Sequence, residues 1–205
     1  KFIYTFLSNF NINIFDLSKP YRLIIDTLVS FLYIIIIMIM FKKEIKKGIR
    51  DLKDNFVERG FVSVTCWMLG ILVMIISSTI LNKLLGKSAA TNELGIREAL
   101  KRAPIYMFIS CTIIAPIFEE MVFRKALYKL IRKKWLFIIA SGLSFGLLHV
   151  IGSYTSPLDF LYVIPYGAMG FSFAYLLTKT NNIILPILIH MIHNTILVIS
   201  QILGG

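Results

Sequence analysis

The sequence predicts an all-α fold, a polytopic bundle of about six transmembrane helices with one amphipathic helix at the membrane interface. Hydrophobic residues make up 57% of the 205 residues, charged residues make up 16%, and the mean hydropathy is +0.78. A soluble domain needs far more polar surface than this composition supplies. The apolar residues also fall into long runs, and basic residues cluster between those runs. Residues 1–205 are therefore expected to form a single integral membrane domain, with a catalytic core over residues 104–197.

Six apolar runs define the predicted spans, and each is close to the roughly 20 residues that cross a bilayer. In order they are Leu23–Phe41, Phe61–Leu81, a third that begins at Pro104, Trp135–Val150, Leu158–Leu177 and Ile183–Leu203. Pro104 stands where the first turn of a helix tolerates proline. Residues 1–20 mix aromatic and polar side chains and are expected to lie at the interface.

The segment between the first two spans, residues 42–59, carries seven Lys or Arg. Its apolar residues recur at spacings of 4, 3 and 4, which predicts an amphipathic helix on the membrane surface with its apolar face down. These residues are Ile45, Ile49, Leu52 and Phe56. Residues 86–103 form a polar connection that is expected to include a short helix, with Thr91 or Asn92 as its N-cap.

Small residues indicate where the later spans pack closely. Gly142 and Gly146 are four residues apart in the fourth span, a spacing typical of helix–helix contact in membranes. The fifth span contains one proline and two glycines, which predicts a kink and a close helix contact. They are Pro165, Gly167 and Gly170.

The basic residues predict orientation and partners. Residues 42–59, 124–134 and 178–182 hold fourteen Lys and Arg, against eight in residues 1–22 and 82–103, so the first set is expected in the cytoplasm. The formal charge of +11 then fits anionic lipid headgroups rather than nucleic acid. The Ile, Lys and Asn usage favours a bacterium, and the expected location is its cell membrane. Two cysteines, Cys66 and Cys111, lie in apolar runs and are interpreted as packing residues, not as a disulfide or metal site.

An acidic pair, Glu119 and Glu120, stands at the end of an apolar run in the third span and is followed by Arg124. An ionisable residue at membrane depth is costly and is by default a candidate functional residue, although both acids would also suit a helix end at the membrane surface. On a helix Glu120 and Arg124 are i and i+4 and lie within ion-pairing reach, whereas Glu119 points about 100° away. Glu119 is therefore expected to be the acid without a local counter-charge.

All three histidines, His149, His190 and His193, lie in apolar spans. A lone buried histidine is more often a core residue than a catalyst, but three such residues beside an acidic pair favour a site. If the third and fourth spans form a hairpin, Glu119 and His149 are each 15 residues from its turn, at equal depth. His190 and Asn194 are i and i+4 in the sixth span and share one face.

These groups suit hydrolysis. A desolvated Glu119 can act as general base toward water, and His149 can orient that water and later pass a proton to the leaving amine. His190 and Asn194 can donate hydrogen bonds to a tetrahedral oxyanion. The alternative is Zn²⁺ bound by Glu119, His149 and His190, but the spacing matches no H-E-x-x-H arrangement, so no metal is favoured.

Three motifs resemble the signature of the CPBP family, which contains CAAX-type prenyl endopeptidases and bacteriocin-processing enzymes and is also called Abi. They are Glu119-Glu120-x-x-x-Arg124, Phe145-x-x-x-His149 and His190-x-x-x-Asn194. The resemblance implies an intramembrane endopeptidase with an all-helical fold and an active site that opens toward the cytoplasm. It also implies that Glu119 and His149 activate water and that His190 and Asn194 form the oxyanion site. A metal-free glutamate mechanism is implied, although the family often carries a metalloprotease label.

The implied substrate is a membrane-associated peptide or protein, such as a bacteriocin or signal-peptide precursor or a CAAX-like sequence. Glu120, Arg124, Phe145 and His193 are expected to support the site rather than to react. Residues 1–103 carry no family motif and are expected to set substrate preference. Two other functions remain open: a non-catalytic immunity or peptide-binding membrane protein on the same fold, and a transporter. The absence of an internal sequence repeat disfavours the transporter.

Overall fold

The structure, a computed structural model, describes residues 19–204, which form helices joined by short connections, with no strand in that range. Six of its helices are long and apolar enough to cross a membrane. The predicted all-α, polytopic fold is thereby confirmed. The interfacial segment expected at the N-terminus lies outside the described residues, except for its last two.

The chain divides into two compact units, residues 1–40 and Phe41–Gly205. The described part of the first unit is α1, Lys19–Met40. In α1 the hydroxyls of Thr27 and Ser30 each donate a hydrogen bond of 2.7 Å to a backbone carbonyl one turn earlier. These bonds satisfy the two hydroxyls inside an apolar helix.

The second unit begins with α2, Lys42–Asp54, and α3, Phe56–Leu85. The amphipathic helix predicted over residues 42–59 is therefore shorter than expected, because Asn55 breaks it. The Asn55 amide donates to the Asp51 carbonyl and carboxylate, both at 3.2 Å, and α3 starts at the next residue. Phe56 thus belongs to the second span and not to the amphipathic face.

A polar contact fastens α2 to the start of the last helix. The Asn182 amide donates to the Gly48 carbonyl at 2.9 Å and to the Asp51 carboxylate at 2.8 Å. Asp51 also accepts from Arg59, and this guanidinium holds the pKa of the Asp51 carboxyl below its usual range. A Cβ atom on Gly48 would come within 2.5 Å of the Asn182 side chain, so this contact requires glycine. Ile49 stays exposed, which leaves it available to lipid.

The polar connection contains α4, Thr91–Arg102, whose N-cap is Ala90. The prediction of Thr91 or Asn92 as the cap is wrong. The Thr91 hydroxyl lies 3.3 Å from the carboxylate of Asp159 instead. Asp159 is buried, forms an ion pair with Lys87 and accepts the Thr155 backbone N–H at 2.8 Å.

The remaining elements are α5, Pro104–Leu130; α6, Lys134–Ile151; a 3-10 helix, Pro157–Tyr162; α7, Val163–Thr180; and α8, Ile184–Gly204. Pro104 opens α5 as predicted. The kink expected from Pro165 is replaced by a change from 3-10 to α-helix at Val163. Pro165 therefore lies in the first turn of α7, where its missing N–H costs no hydrogen bond.

Helices α6 and α7 make the close contact that the glycines predict. A Cβ atom on Gly170 would lie 2.9 Å from the Gly142 Cα, and one on Gly146 would lie 2.6 Å from the Val163 carbonyl oxygen. These approaches are closer than side chains permit, so backbone packs on backbone. This contact brings the second and third motifs together, because α7 lies between them and packs on both α6 and α8.

Candidate active site

The helix that carries the acidic pair, α5, is not a uniform α-helix. Two π-helical turns interrupt it, and between them lies the single α-helical turn that holds both acids. The segments are Pro104–Ile109, the π-turn Ser110–Ile114, Ala115–Glu120, the π-turn Met121–Ala126 and Leu127–Leu130. Such π-turns are rare and occur frequently at functional sites, because they free backbone groups and re-aim side chains.

Behind the site lies a fully buried ion pair. The side chains of Glu120 and Arg124 have no exposed surface, and Glu120 Oε1 lies 3.1 Å from Arg124 Nη1. Arg124 Nη2 donates to the Gly170 carbonyl at 3.3 Å. Its guanidinium carbon stands 4.4 Å from the ring centroid of Phe145 and 5.4 Å from that of Phe173. The i, i+4 pair predicted from the sequence is present, and two aromatic faces stabilise its cation.

His190 stands between the two acids. Its Nδ1 lies 2.9 Å from Glu120 Oε1, and its Nε2 lies 3.8 Å from Glu119 Oε2. A carboxylate accepts, so the Glu120 contact keeps the proton on Nδ1 and points Nε2 toward Glu119. Glu120 therefore has a second partner that the sequence did not reveal, and it orients this histidine.

Glu119 occupies the position expected for the acid without a local counter-charge. Its side chain is 19% exposed, and its Oε2 is buried without a hydrogen-bond partner. Arg124, the nearby cation, is engaged by Glu120. A buried acceptor without a partner is uncommon in proteins and is explained here if water or a substrate fills the space beside it.

His149 presents one ring nitrogen to the same space. Its Nδ1 lies 2.9 Å from the Phe145 carbonyl oxygen, which can only accept, so Nδ1 carries the proton and Nε2 keeps a lone pair. The ring stacks on Tyr166 at 4.8 Å between centroids and lies 4.5 Å from the ring of Phe145. Both contacts hold the ring in one orientation.

Asn194 is tied to the first π-turn of α5. Its Nδ2 donates at 2.9 Å to the carbonyl of Cys111, a residue of that turn. An amide nitrogen carries two N–H donors, so one holds α8 to α5 and the other remains available. Cys111 and Cys66 are both free thiols, consistent with their interpretation as packing residues.

His193, the third histidine, has a different partner. Its Nδ1 lies 3.4 Å from the Trp67 indole nitrogen, which can only donate. The histidine is buried, and its contact joins α8 to α3. Within residues 19–204, the histidine that pairs with Glu119 and Glu120 is His190 and not His193.

One cavity of about 240 Å³ joins these residues. Glu119, His149, His190 and Asn194 all line it, together with Phe145 and His193, whereas Glu120 and Arg124 lie behind its wall. Apolar residues complete its lining, together with a second group of polar side chains, here called its polar end. That end is formed by Asn82, Asn92, Glu93, Tyr162, Tyr166 and Gln201. It lies at the α4 side of the bundle, opposite to α2.

The side chains that could ligate a metal ion are poorly arranged for that role. One ring nitrogen of His190 is already engaged by Glu120, and one of His149 faces a carbonyl. Within residues 19–204, no three His, Cys, Asp or Glu side chains converge as ligands of one ion. The zinc alternative, with Glu119, His149 and His190, would need these side chains to move together.

Sequence reasoning missed the aromatic and amide residues around the site. Phe173, Tyr166 and Trp67 contact His190, His149 and His193, but each lies in an apolar run where aromatic residues are ordinary. Only the fold brings them to the histidines. Asn92 and Glu93 lie in the polar connection, where no periodic pattern indicates which face of a helix they occupy. Nothing in the sequence therefore placed them beside a transmembrane site.

Residues 101–196 match the family model of the type II CAAX prenyl endopeptidase Rce1-like proteins. Among curated proteins, the chain is 33% identical over 114 residues to "Putative membrane peptidase YdiL" of Bacillus subtilis, an alignment that covers 54% of this chain and 43% of that protein. It is 35% identical over 130 residues to the "Membrane-embedded CAAX protease MroQ" of Staphylococcus aureus, with 58% and 48% covered.

A third relative, an uncharacterized protein of Mycoplasma capricolum, is 30% identical over 177 residues, which cover 80% of this chain and 51% of that protein. The chain thus spans about half the length of these curated relatives. No solved structure matches the chain significantly.

Proposed function

We propose that this multi-pass membrane protein hydrolyses a peptide bond of a membrane-associated peptide or protein, because residues 101–196 match the family model of the Rce1-like type II CAAX prenyl endopeptidases. One observation carries the proposal: four polar side chains from three spans line one cavity inside an apolar bundle. They are Glu119, His149, His190 and Asn194. A non-catalytic peptide-binding protein would not require this set.

In the proposed reaction, Glu119 and His149 activate water. Glu119 Oε2, which has no hydrogen-bond partner, accepts a proton from a water molecule while the oxygen attacks the peptide carbonyl carbon. His149 Nε2, which keeps its lone pair, accepts a hydrogen bond from the same water and orients it. As the C–N bond breaks, the proton passes to the leaving amine, so the carboxylate is regenerated and two peptide fragments leave.

His190 and Asn194 stabilise the tetrahedral oxyanion. Asn194 donates its second N–H, since the first is engaged by the Cys111 carbonyl. His190 Nε2 donates only when the ring is doubly protonated. Glu119 and Glu120 on either side supply the counter-charges for that imidazolium, because Arg124 balances only one of the two acids.

We propose that this mechanism needs no metal ion. Asn194 shares a face with His190 and donates toward the site, and amides are poor zinc ligands but good oxyanion donors. Membrane lipids and a membrane-associated substrate are then the proposed partners. Bacteriocin precursors, signal-peptide precursors and CAAX-like sequences are the candidate substrates, and the cell membrane of a bacterium is the proposed location.

Two expectations about orientation disagree. The resemblance implies a site that opens toward the cytoplasm, whereas the count of basic residues puts α2 in the cytoplasm and α4 outside. The cavity reaches α4. A cytoplasmic mouth therefore requires the reverse of the orientation that the charges favour.

The test is a comparison of the peptides in membranes that contain the wild-type chain or Glu119→Gln. We expect peptides that appear only with the wild type and share one cleavage position. Glu98→Gln serves as the matched control, because Glu98 is 71% exposed and lies outside the cavity. Identical peptide sets for the wild type and Glu119→Gln would contradict the proposal.

A further inference from the structure

Carboxylates outnumber Lys and Arg side chains around the cavity. Of the residues in the described range that line it, two are acids, Glu93 and Glu119, and none is Lys or Arg. Arg124 lies behind the wall and is engaged by Glu120. Lys87, the basic residue near Tyr162, forms an ion pair with the buried Asp159. A charged ligand at the polar end of the cavity therefore meets the Glu93 carboxylate, whose ion-pair partner is Arg97.

Glu93 has an ordinary structural role as well. It lies in the first turn of α4, where a negative charge stabilises the helix dipole, and it forms an ion pair with Arg97 one turn later. Both side chains of that pair are exposed by more than a third, and exposed i, i+4 pairs contribute little to stability. A substrate cation can therefore replace Arg97 at little cost.

The same helix contains a matched pair that does not face the cavity. Glu98 and Arg102 are also i and i+4, and both are 71% exposed. Glu98 does not line the cavity, whereas Asn92, Glu93 and Ile96 do. The i, i+4 ion pair is common to both acids, whereas the first-turn position and the position on the cavity wall distinguish Glu93.

Resting on the peptidase function proposed above, we propose that Glu93 is a specificity residue that selects peptides with a Lys or Arg side chain near the scissile bond. The amide of Asn92 and the hydroxyl of Tyr166 line the same cavity and provide donors and acceptors for an extended peptide backbone. A peptide whose free carboxylate lies beside Glu93 is disfavoured, because two like charges would then be adjacent. The Glu93 carboxylate therefore favours an internal cationic segment over a CAAX-like terminus.

The test measures cleavage and binding separately with the full chain in detergent. The probes are internally quenched peptides of alternating Leu and Ala that differ at one central position, which is Lys, Gln or Glu. We expect the wild type to prefer the Lys peptide over the Glu peptide by about tenfold in kcat/KM, a factor that corresponds to about 1.4 kcal/mol. Glu93→Lys should remove or reverse this preference, and Glu98→Lys should leave it unchanged.

Binding of the same peptides, labelled with fluorescein, to Glu119→Gln separates this inference from the proposed activity. If the wild type cleaves no peptide but Glu119→Gln binds the Lys peptide most tightly in a Glu93-dependent manner, the cationic preference stands and the peptidase proposal fails. If peptides are cleaved in a Glu119-dependent reaction but Glu93→Lys keeps the wild-type order of preference, the role of Glu93 is wrong. A matching change in Glu98→Lys would also overturn it, since the effect would then come from the charge of α4 as a whole.

Discussion

Glu120 has both a structural contact and a contact within the site, because one of its carboxylate oxygens contacts both Arg124 and His190. The ion pair stabilises the turn of α5 between its two π-turns. The contact to His190 fixes which ring nitrogen faces Glu119. In the proposed mechanism, Glu120 therefore positions His190, and Glu119 is the acid that reacts with water. Successive residues of a helix are rotated by about 100°, and this rotation is sufficient to point the two side chains in different directions.

Glu120→Ala should destabilise the protein as well as remove activity. It leaves Arg124 as an uncompensated buried charge, a change that costs about 3–5 kcal/mol. The measurement is thermal unfolding in detergent, with Glu98→Ala as the exposed control. If Glu120→Ala unfolds at the wild-type temperature, the structural role assigned to the buried pair is wrong.

His190 should matter more than His193. His190 lies between the two acids, so His190→Ala should lower kcat by about 100- to 1,000-fold, the range typical of a lost oxyanion donor. His193 contacts Trp67 instead, so His193→Ala should lower kcat by about tenfold or less, as expected for a residue that positions others. Trp67→Phe should reproduce the smaller loss. If His193→Ala lowered kcat as much as His190→Ala does, the assignment of the oxyanion role to His190 would be wrong.

Glu119→Gln should abolish turnover and leave peptide binding nearly intact. The substitution keeps size and hydrogen bonding but removes the proton acceptor, so the loss falls on the transition state. The wild type should keep its rate through exhaustive chelation. One zinc per purified chain, together with a rate lost on chelation and restored by added zinc, would instead establish a metal mechanism.

At the scale of elements, sequence patterns predicted the spans because length and hydropathy determine them. Helix ends and irregular turns were harder to predict from the sequence. At the break, the Asn55 side chain bonds to Asp51, four residues earlier, and the Thr91 hydroxyl bonds to Asp159, a residue far away in the sequence. The π-turns of α5 carry no composition signal, and Cys111 in the first of them gains its partner only when α8 packs nearby. The partners of Thr91 and Cys111 are long-range, so local patterns could not reveal them.

The α6–α7 contact should be intolerant of a single methyl group. A Cβ atom on Gly170 would meet the Gly142 backbone at 2.9 Å, and Gly170 also supplies the carbonyl that Arg124 contacts. We expect Gly170→Ala to destabilise the protein by about 1–3 kcal/mol and to lower activity, because the helices must separate. Thermal unfolding and the cleavage rate report the two effects.

Gly95 provides the matched control for that experiment. It lies within α4, and nothing lies within 4 Å of the position of an added Cβ atom. Gly95→Ala should therefore be neutral or should stabilise the protein by up to about 1 kcal/mol, since alanine favours helix more than glycine does. Equal effects of the two substitutions would argue against a close α6–α7 approach.

At the scale of the whole molecule, the spacing of residues along the predicted spans placed the four candidate residues at a common depth. It did not reveal where the cavity that they line leads. The equal spacing of Glu119 and His149 from the hairpin turn agrees with their joint presence on one wall. The path toward α4 arises from packing of α3, α4, α7 and α8, which no periodicity contains. Arg124 also proves to be buried, so it does not count as a cytoplasmic surface charge. Thirteen of the fourteen basic residues then remain on the α2 side.

Labelling of single cysteines in intact cells should determine which side the cavity mouth faces. Lys47→Cys on α2 and Glu98→Cys on α4 are the two probes, because both native residues are exposed. We expect a membrane-impermeant maleimide to label Glu98→Cys and to spare Lys47→Cys until the membrane is permeabilised, since the basic side stays in the cytoplasm. The parent chain, whose Cys66 and Cys111 lie within spans, measures background labelling. The reverse pattern would place α4 and the cavity mouth in the cytoplasm, as the family resemblance implies, and would show that the charge bias does not orient this bundle.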